Sequence, residues 1–171
     1  RVAGGVIKKG DQVMLLPSGL VTRVTGIDFN GQELTEAFPP MSVTLLLEDE
    51  MDLSRGDMIV RENNRPEVGQ DLEAMVCWFN ERPLQLRGKY TILHTTQQAR
   101  CIIKDIRYKL DINSLHRDQE DKRIGMNDIA RVVFRTTKPL FYDSYRQNRN
   151  TGSLIIIDEA TNETVGAGMI I

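Results

Sequence analysis

Short apolar runs, each broken by turn residues, set the pattern along this chain. Gln12-Val13-Met14-Leu15-Leu16, Leu20 to Ile27, Met41 to Leu47 and Met58-Ile59-Val60 either alternate or stay apolar throughout. Half-buried and fully buried strands have that signature. Asn30-Gly31, just after Ile27-Asp28-Phe29, is the strongest hairpin dipeptide in the chain, since Asn and Gly both accept positive φ. Pro17-Ser18-Gly19 marks a second tight turn, and Pro39-Pro40 a bend before the third run. The stretch from Glu62 to Gly69 is polar, aperiodic and holds both Pro66 and Gly69, so it predicts an interdomain linker.

Longer strands are expected beyond it, over Leu72 to Phe79, Tyr90 to His94, Arg100 to Leu110, Ile129 to Thr136, Ser153 to Asp158 and Thr164 to Ile171. Strict alternation in the third of these puts Ile102, Lys104, Ile106, Tyr108 and Leu110 on one face, mostly apolar and turned toward a core. Cys101, Ile103, Asp105, Arg107 and Lys109 then share the other. No window of about 12 residues keeps the helical recurrence of apolar positions. Asp118 to Met126 is polar enough only for a turn or short loop. The expectation is all-β: two consecutive barrels, over residues 1–66 and 70–171.

Composition narrows the picture. The 171 residues are 40% hydrophobic and 27% charged, as in soluble globular proteins, and no run reaches the roughly 18 apolar residues of a membrane span. Lys+Arg 22 against Asp+Glu 24 gives a net charge of −2, which leans against nucleic acid as a partner. Residues 1–70 carry seven basic and eleven acidic side chains; residues 71–171 carry fifteen and thirteen. That split is too small to decide a partner. Cys77 and Cys101 lie far apart without metal-knuckle spacing, so a reducing cytoplasm is the expected compartment. Arg1-Val2 begins without an initiator Met, and the chain stops inside the apolar run Gly168-Met169-Ile170-Ile171. It therefore reads as a piece of a longer polypeptide.

Candidate chemistry is sparse. Gly5 and Gly10 have the outer spacing of a phosphate loop, but Asp11 stands where that motif needs Lys, and a carboxylate there repels phosphate. Asp28-Phe29-Asn30-Gly31 fits a loose switch motif, yet its Asn-Gly already has a hairpin role. There is no nucleophile elbow and no paired-His zinc motif. His94 and His116 lack partners at ligand spacing, and a lone His at a strand end reads as a hydrogen-bonded structural residue. Cys77, beside Trp78 in an apolar strand, reads as a packed, inert thiol. Asn162-Glu163-Thr164 matches a glycosylation sequon but reads as the turn before the last strand. No catalytic, cofactor-binding or metal residue is assigned. One segment, Phe141 to Arg149, interleaves rings and guanidinium groups; Tyr142, Tyr145, Arg146 and Arg149 form a candidate partner interface. The competing reading is a loop whose tyrosines cover the barrel end and whose arginines are solvated.

Two longer stretches carry a resemblance. Gly10-Asp11-Gln12-Val13-Met14-Leu15-Leu16-Pro17-Ser18-Gly19, Val24-Thr25-Gly26-Ile27 and Leu53-Ser54-Arg55-Gly56-Asp57-Met58-Ile59 together resemble the second domain of translation-factor GTPases. This is the barrel that follows the nucleotide-binding domain in elongation factor Tu. The second set runs from Ala74-Met75-Val76-Cys77-Trp78-Phe79 through Arg87-Gly88-Lys89-Tyr90 and Asn127-Asp128-Ile129-Ala130. It closes with Asn148 to Asp158 and Asn162 to Ile170. It is similar to the third domain of the large, GTP-hydrolysing subunit of bacterial sulfate adenylyltransferase. The resemblance covers nearly the whole chain.

It implies a place in sulfate assimilation, where the family joins sulfate and ATP into adenylyl sulfate and pyrophosphate and GTP hydrolysis drives that step. The parent polypeptide is expected to be an enzyme subunit. GTP and magnesium are expected in a domain preceding Arg1, where the family's phosphate-binding motifs lie, and no catalytic residue carries over to this chain. The first strand of the second domain is also expected to be missing. The implied partners are the chain's own GTPase domain and the adenylyltransferase catalytic subunit, with no membrane and with a dimer through an open sheet edge of the first barrel. Two alternatives stay open: the tRNA-binding barrels of a translation elongation factor, and an unrelated β-rich enzyme whose site assembles from scattered residues.

Overall fold

A computed structural model describes residues 1–171. It contains strands and no helix, and so no helix long and apolar enough to cross a membrane. The chain divides into two compact units, Arg1–Pro66 and Glu67–Ile171.

The first unit is built from β1 (Ile7–Lys8), β2 (Gln12–Leu16), β3 (Val21–Phe29), β4 (Gln32–Leu34), β5 (Glu36–Ala37), β6 (Thr44–Leu47) and β7 (Met58–Val60). All its pairings are antiparallel: the main path runs β4-β3-β2-β7, β6 also pairs with β3, and β1 pairs with β5. Asn30 and Gly31 sit at φ 53° and 82° and close the β3–β4 hairpin, as the dipeptide predicts. Val13, Val24, Ile27 and Ala37 form the core, the inward residues of their strands. The run expected from Met41 enters the ladder only at Thr44. The bend before it is closed by the Met41 N–H donating to the Phe38 carbonyl at 2.9 Å.

The second unit holds β8 (Glu67–Trp78), β9 (Lys89–His94), β10 (Gln97–Leu110), β11 (Arg117–Asp118), β12 (Ile129–Tyr142), β13 (Ser153–Asp158) and β14 (Thr164–Ile170). Six of them close a barrel in the order β8-β14-β13-β9-β10-β12 and back to β8, every pair antiparallel. Closure leaves the six no free edge. The interior holds Leu72, Val76, Trp78, Ile92, Ile103, Ile106, Phe134 and Ile156, with Trp78 meeting Tyr90 edge-on at 5.7 Å. Gly168 on β14 lets Leu154 approach; an added Cβ would stand 2.9 Å from it.

Three expectations need correction. On β10, pairing with β12 skips Lys104 and Arg107. Each skipped residue is a bulge that reverses the facing of the residues beyond it. Ala99, Cys101 and Ile103 therefore point inward before the first bulge, Ile102 is 41% exposed, and the core passes to Ile106 after it. Second, Glu67, Val68 and Gly69 are strand and not linker, because β12 runs past Pro139 and pairs Leu140, Phe141 and Tyr142 with them. Third, Cys77 lies on the outward side of β8 and is half-buried, while Cys101 is the packed thiol. Burial, reinforced by Glu159, pushes the Cys101 thiol up to about 12.

Candidate interaction site

The aromatic and basic segment Phe141 to Arg149 ends β12 with its first two residues and then enters the connection to β13, and its side chains go three ways. Phe141 is buried and Tyr142 packs against the barrel core. Burial, and then the nearby Glu67 carboxylate, raise the Tyr142 phenol above its ordinary value. Arg149 lies over the Tyr145 ring at 5.9 Å, and Arg146 is exposed. Of the four candidates, Tyr145 and Arg149 come together, Arg146 stands free at the surface, and Tyr142 belongs to the packing.

Backbone bonds shape the turn between them. The Gln147 and Asn148 N–H groups donate to the Ser144 carbonyl at 2.9 and 3.0 Å, and the Gly152 N–H donates to the Asn148 carbonyl at 2.8 Å. Tyr145 N–H reaches the Ile170 carbonyl on β14 at 2.8 Å. Gly152 is required by crowding, since a Cβ there would stand 2.5 Å from Tyr145 N and 2.7 Å from Asn148 O.

The turn is tied to the barrel through a group its own sequence does not contain. His94, on β9 and 1% exposed, bonds through Nε2 to the Thr151 carbonyl at 2.7 Å. A carbonyl only accepts, so Nε2 carries the proton. The Thr151 hydroxyl in turn donates to Asp143 Oδ2 at 2.6 Å, which joins the two ends of the turn. Burial holds the His94 imidazole below its ordinary value, with the Thr151 bond and the Asp143 charge pulling back upward. His94 is thus the hydrogen-bonded structural residue expected, but its partner lies 57 residues away and no local signal points to it.

The barrel's outer wall has two characters. Across β8, β12 and β10, Glu73 accepts from Arg131 at 2.8 Å and Arg107 at 3.3 Å, while Asp71 pairs with Arg135 at 2.6 Å and Lys104 at 3.5 Å. The Arg131 bond holds the Glu73 carboxyl below its ordinary value against the pull of burial. Around β8, β14, β13 and β9, the outward row Cys77, Ala167, Ile155 and Leu93 carries no charge. In the first unit, Asp11 is engaged by the Arg61 guanidinium at 2.5 Å and by the Lys8 N–H at 2.8 Å.

A closed antiparallel barrel after a smaller β unit is an elongation-factor-type architecture. Sup35 complexed with GDP matches with a TM-score of 0.86 over 99% of this chain and 42% of that one, at 17% identity. Translation elongation factor SelB from Methanococcus maripaludis, apo form, matches at 0.76 over 98% and 37%, at 15% identity. At such identities the likeness is one of fold.

Residues 71–171 match the family model "GTP-eEF1A C-terminal domain-like", and the chain belongs to that family. It is 48% identical to sulfate adenylyltransferase subunit 1 of Bacteroides fragilis, across 100% of this chain and 36% of the relative. It is 45% identical to the bifunctional enzyme CysN/CysC of Mycobacterium tuberculosis H37Rv, across 99% and 28%. The chain spans about a third of the length of these relatives.

Proposed function

We propose that this chain is the β-rich, non-catalytic portion of a large sulfate adenylyltransferase subunit that works in the cytoplasm. It acts as a scaffold, holding a GTPase domain and the subunit that joins sulfate to ATP. The observation that carries this reading is the 45–48% identity, which continues through the first unit as well as the barrel. The identity with translation factors is 15–17%, so a tRNA-binding role has only the shared fold behind it.

In this reading GTP and magnesium bind in the part of the polypeptide that the chain does not span. The two β units then transmit the nucleotide state by making different contacts when GTP and when GDP is bound, since only differential contacts shift an equilibrium. The ion-paired wall of Glu73, Arg107 and Arg131 suits a surface that keeps its shape through such a change. Calorimetric titration of the 171-residue chain with GTP tests the proposal. No heat of binding is expected, and micromolar affinity would overturn it.

A further inference from the structure

The β3–β4 hairpin turns at the one place in the chain where an asparagine is followed by glycine, Asn30-Gly31. Both residues are exposed, and a Cβ added to Gly31 would meet nothing within 4 Å. Their positive φ values, 53° and 82°, make this a tight hairpin loop. Asp28 braces it, its Oδ1 accepting the Gly31 N–H at 3.3 Å. Beyond the loop the hold is slight. β4 has three residues, lies at the end of its sheet, and takes all its ladder bonds from β3. A short edge strand beside an exposed loop belongs to the low end of local stability.

An asparagine carries an electrophile, its side-chain amide carbon, within ring-closing reach of the next residue's main-chain nitrogen. What ordinarily hinders that closure is the side chain of the following residue, and Gly31 has none. Asn127 and Asn162 share the exposure and the positive φ of Asn30, at 66° and 58°, but Asp128 and Glu163 follow them. Closure also needs the Asn30–Gly31 peptide to rotate and the Gly31 nitrogen to lose its proton. The Asp28 bond opposes both. It holds the N–H in place, and the carboxylate disfavours a second negative charge on the nitrogen.

We propose that Asn30 is a self-modifying site whose pace Asp28 sets. When the loop opens, the Gly31 N–H gives its proton to solvent and the nitrogen attacks Asn30 Cγ. The Cγ–Nδ2 bond breaks, ammonia leaves with a proton from water, and a cyclic imide remains. Water then opens the imide at one of its two carbonyls. One opening leaves an aspartate in place of Asn30, and the other leaves an isoaspartyl linkage that carries the backbone through the side chain. No group is oxidised or reduced. Either product puts a carboxylate beside Asp28 and Glu33, which already oppose each other across the ladder. The isoaspartyl product also lengthens the loop by a methylene that a tight hairpin cannot absorb in register. β4 then loosens, and with it Leu34, which packs against the first unit's core, and Glu33, paired with Lys9 at 2.6 Å. The modification ages the first unit and leaves the barrel alone.

The test incubates the 171-residue chain for several weeks at mildly alkaline pH and follows every asparagine by peptide mass spectrometry, with chromatography separating aspartate from isoaspartate. Asn30 is expected to convert at least about tenfold faster than Asn127 or Asn162, where a following side chain hinders the ring. Asp28→Ala is expected to raise the Asn30 rate about threefold, the population shift that losing one modest hydrogen bond gives. Asn30→Gly keeps the positive φ, and its peptide is expected to hold a constant mass. In aged wild type, amide exchange is expected to quicken from Phe29 to Leu34 and to stay unchanged from Glu67 onward, while aged Asn30→Gly keeps its initial exchange throughout. Asn30 converting no faster than Asn162, or equal rates in Asp28→Ala and wild type, would overturn the inference. Either result leaves the functional reading above untouched, since no subunit contact enters the chemistry.

Discussion

Two turns of the barrel unit invite opposite conclusions from sequence and from structure. The turn from Asp143 to Gly152 is rich in rings and arginines, the residue types that dominate interface hot spots. Yet it is bound to the barrel by His94 and to itself through Thr151 and Asp143. The turn from Asp111 to His116 looks polar and ordinary in sequence, but it holds Ile112 and Leu115 out in solvent. Residue type says what a side chain can do. Backbone geometry decides whether it is left in solvent or kept for packing, and only the second turn leaves its apolar groups exposed.

The harshest test of this contrast is Gly152→Ala. Any Cβ there collides with the Tyr145 backbone and the Asn148 carbonyl, neither of which is a flexible side-chain end. The expected loss is on the order of 3 kcal/mol of barrel stability in chemical denaturation. A loss below about 1 kcal/mol would mean the turn yields easily and is not a fixed part of the barrel.

His94→Ala comes next. It removes a buried ring and the bond to the Thr151 carbonyl, for an expected loss of about 2 kcal/mol. It also removes a pH dependence whose sign is fixed. Burial holds the folded imidazole below the 6.5 of the unfolded chain. The unfolded state therefore binds the proton first as pH falls. The His94 contribution is complete above 6.5 and declines as the pH drops toward the lower folded value. Thermal midpoints measured from pH 7 downward should show this decline in wild type and a shallower one in His94→Ala. Equal slopes would remove His94 from the account of what pins the turn.

Particular residues show why the sequence told part of this and not the rest. The strands were readable because alternation and turn chemistry are local, as Asn30-Gly31 shows. The facing of β10 was not, because the bulges at Lys104 and Arg107 are properties of its pairing with β12. Glu67 to Gly69 looked like linker because the residues that pair with them, Leu140 to Tyr142, lie far downstream. Residue type grouped Tyr142, Tyr145, Arg146 and Arg149 as one segment, while which of them meet, Tyr145 with Arg149, and the tie to His94 depend on the folded turn and the closed barrel. Ile112 and Leu115 gave no signal at all. Single aliphatics in a polar stretch are ordinary, and only their exposure and the positive φ of Leu115 set them apart.

The smallest effect separates display from packing at the turn the sequence favoured. Arg149 stacks over Tyr145 at the surface, an arrangement worth about 0.5–1 kcal/mol at exposed sites. Arg149→Ala should therefore cost no more than that in stability, and it should leave association with the second subunit unchanged, because this turn's contacts serve the barrel. A clear loss of affinity in Arg149→Ala, with stability intact, would reverse the contrast. The aromatic turn would then be the displayed surface, and Tyr145 would be held in place by Arg149 to meet a partner.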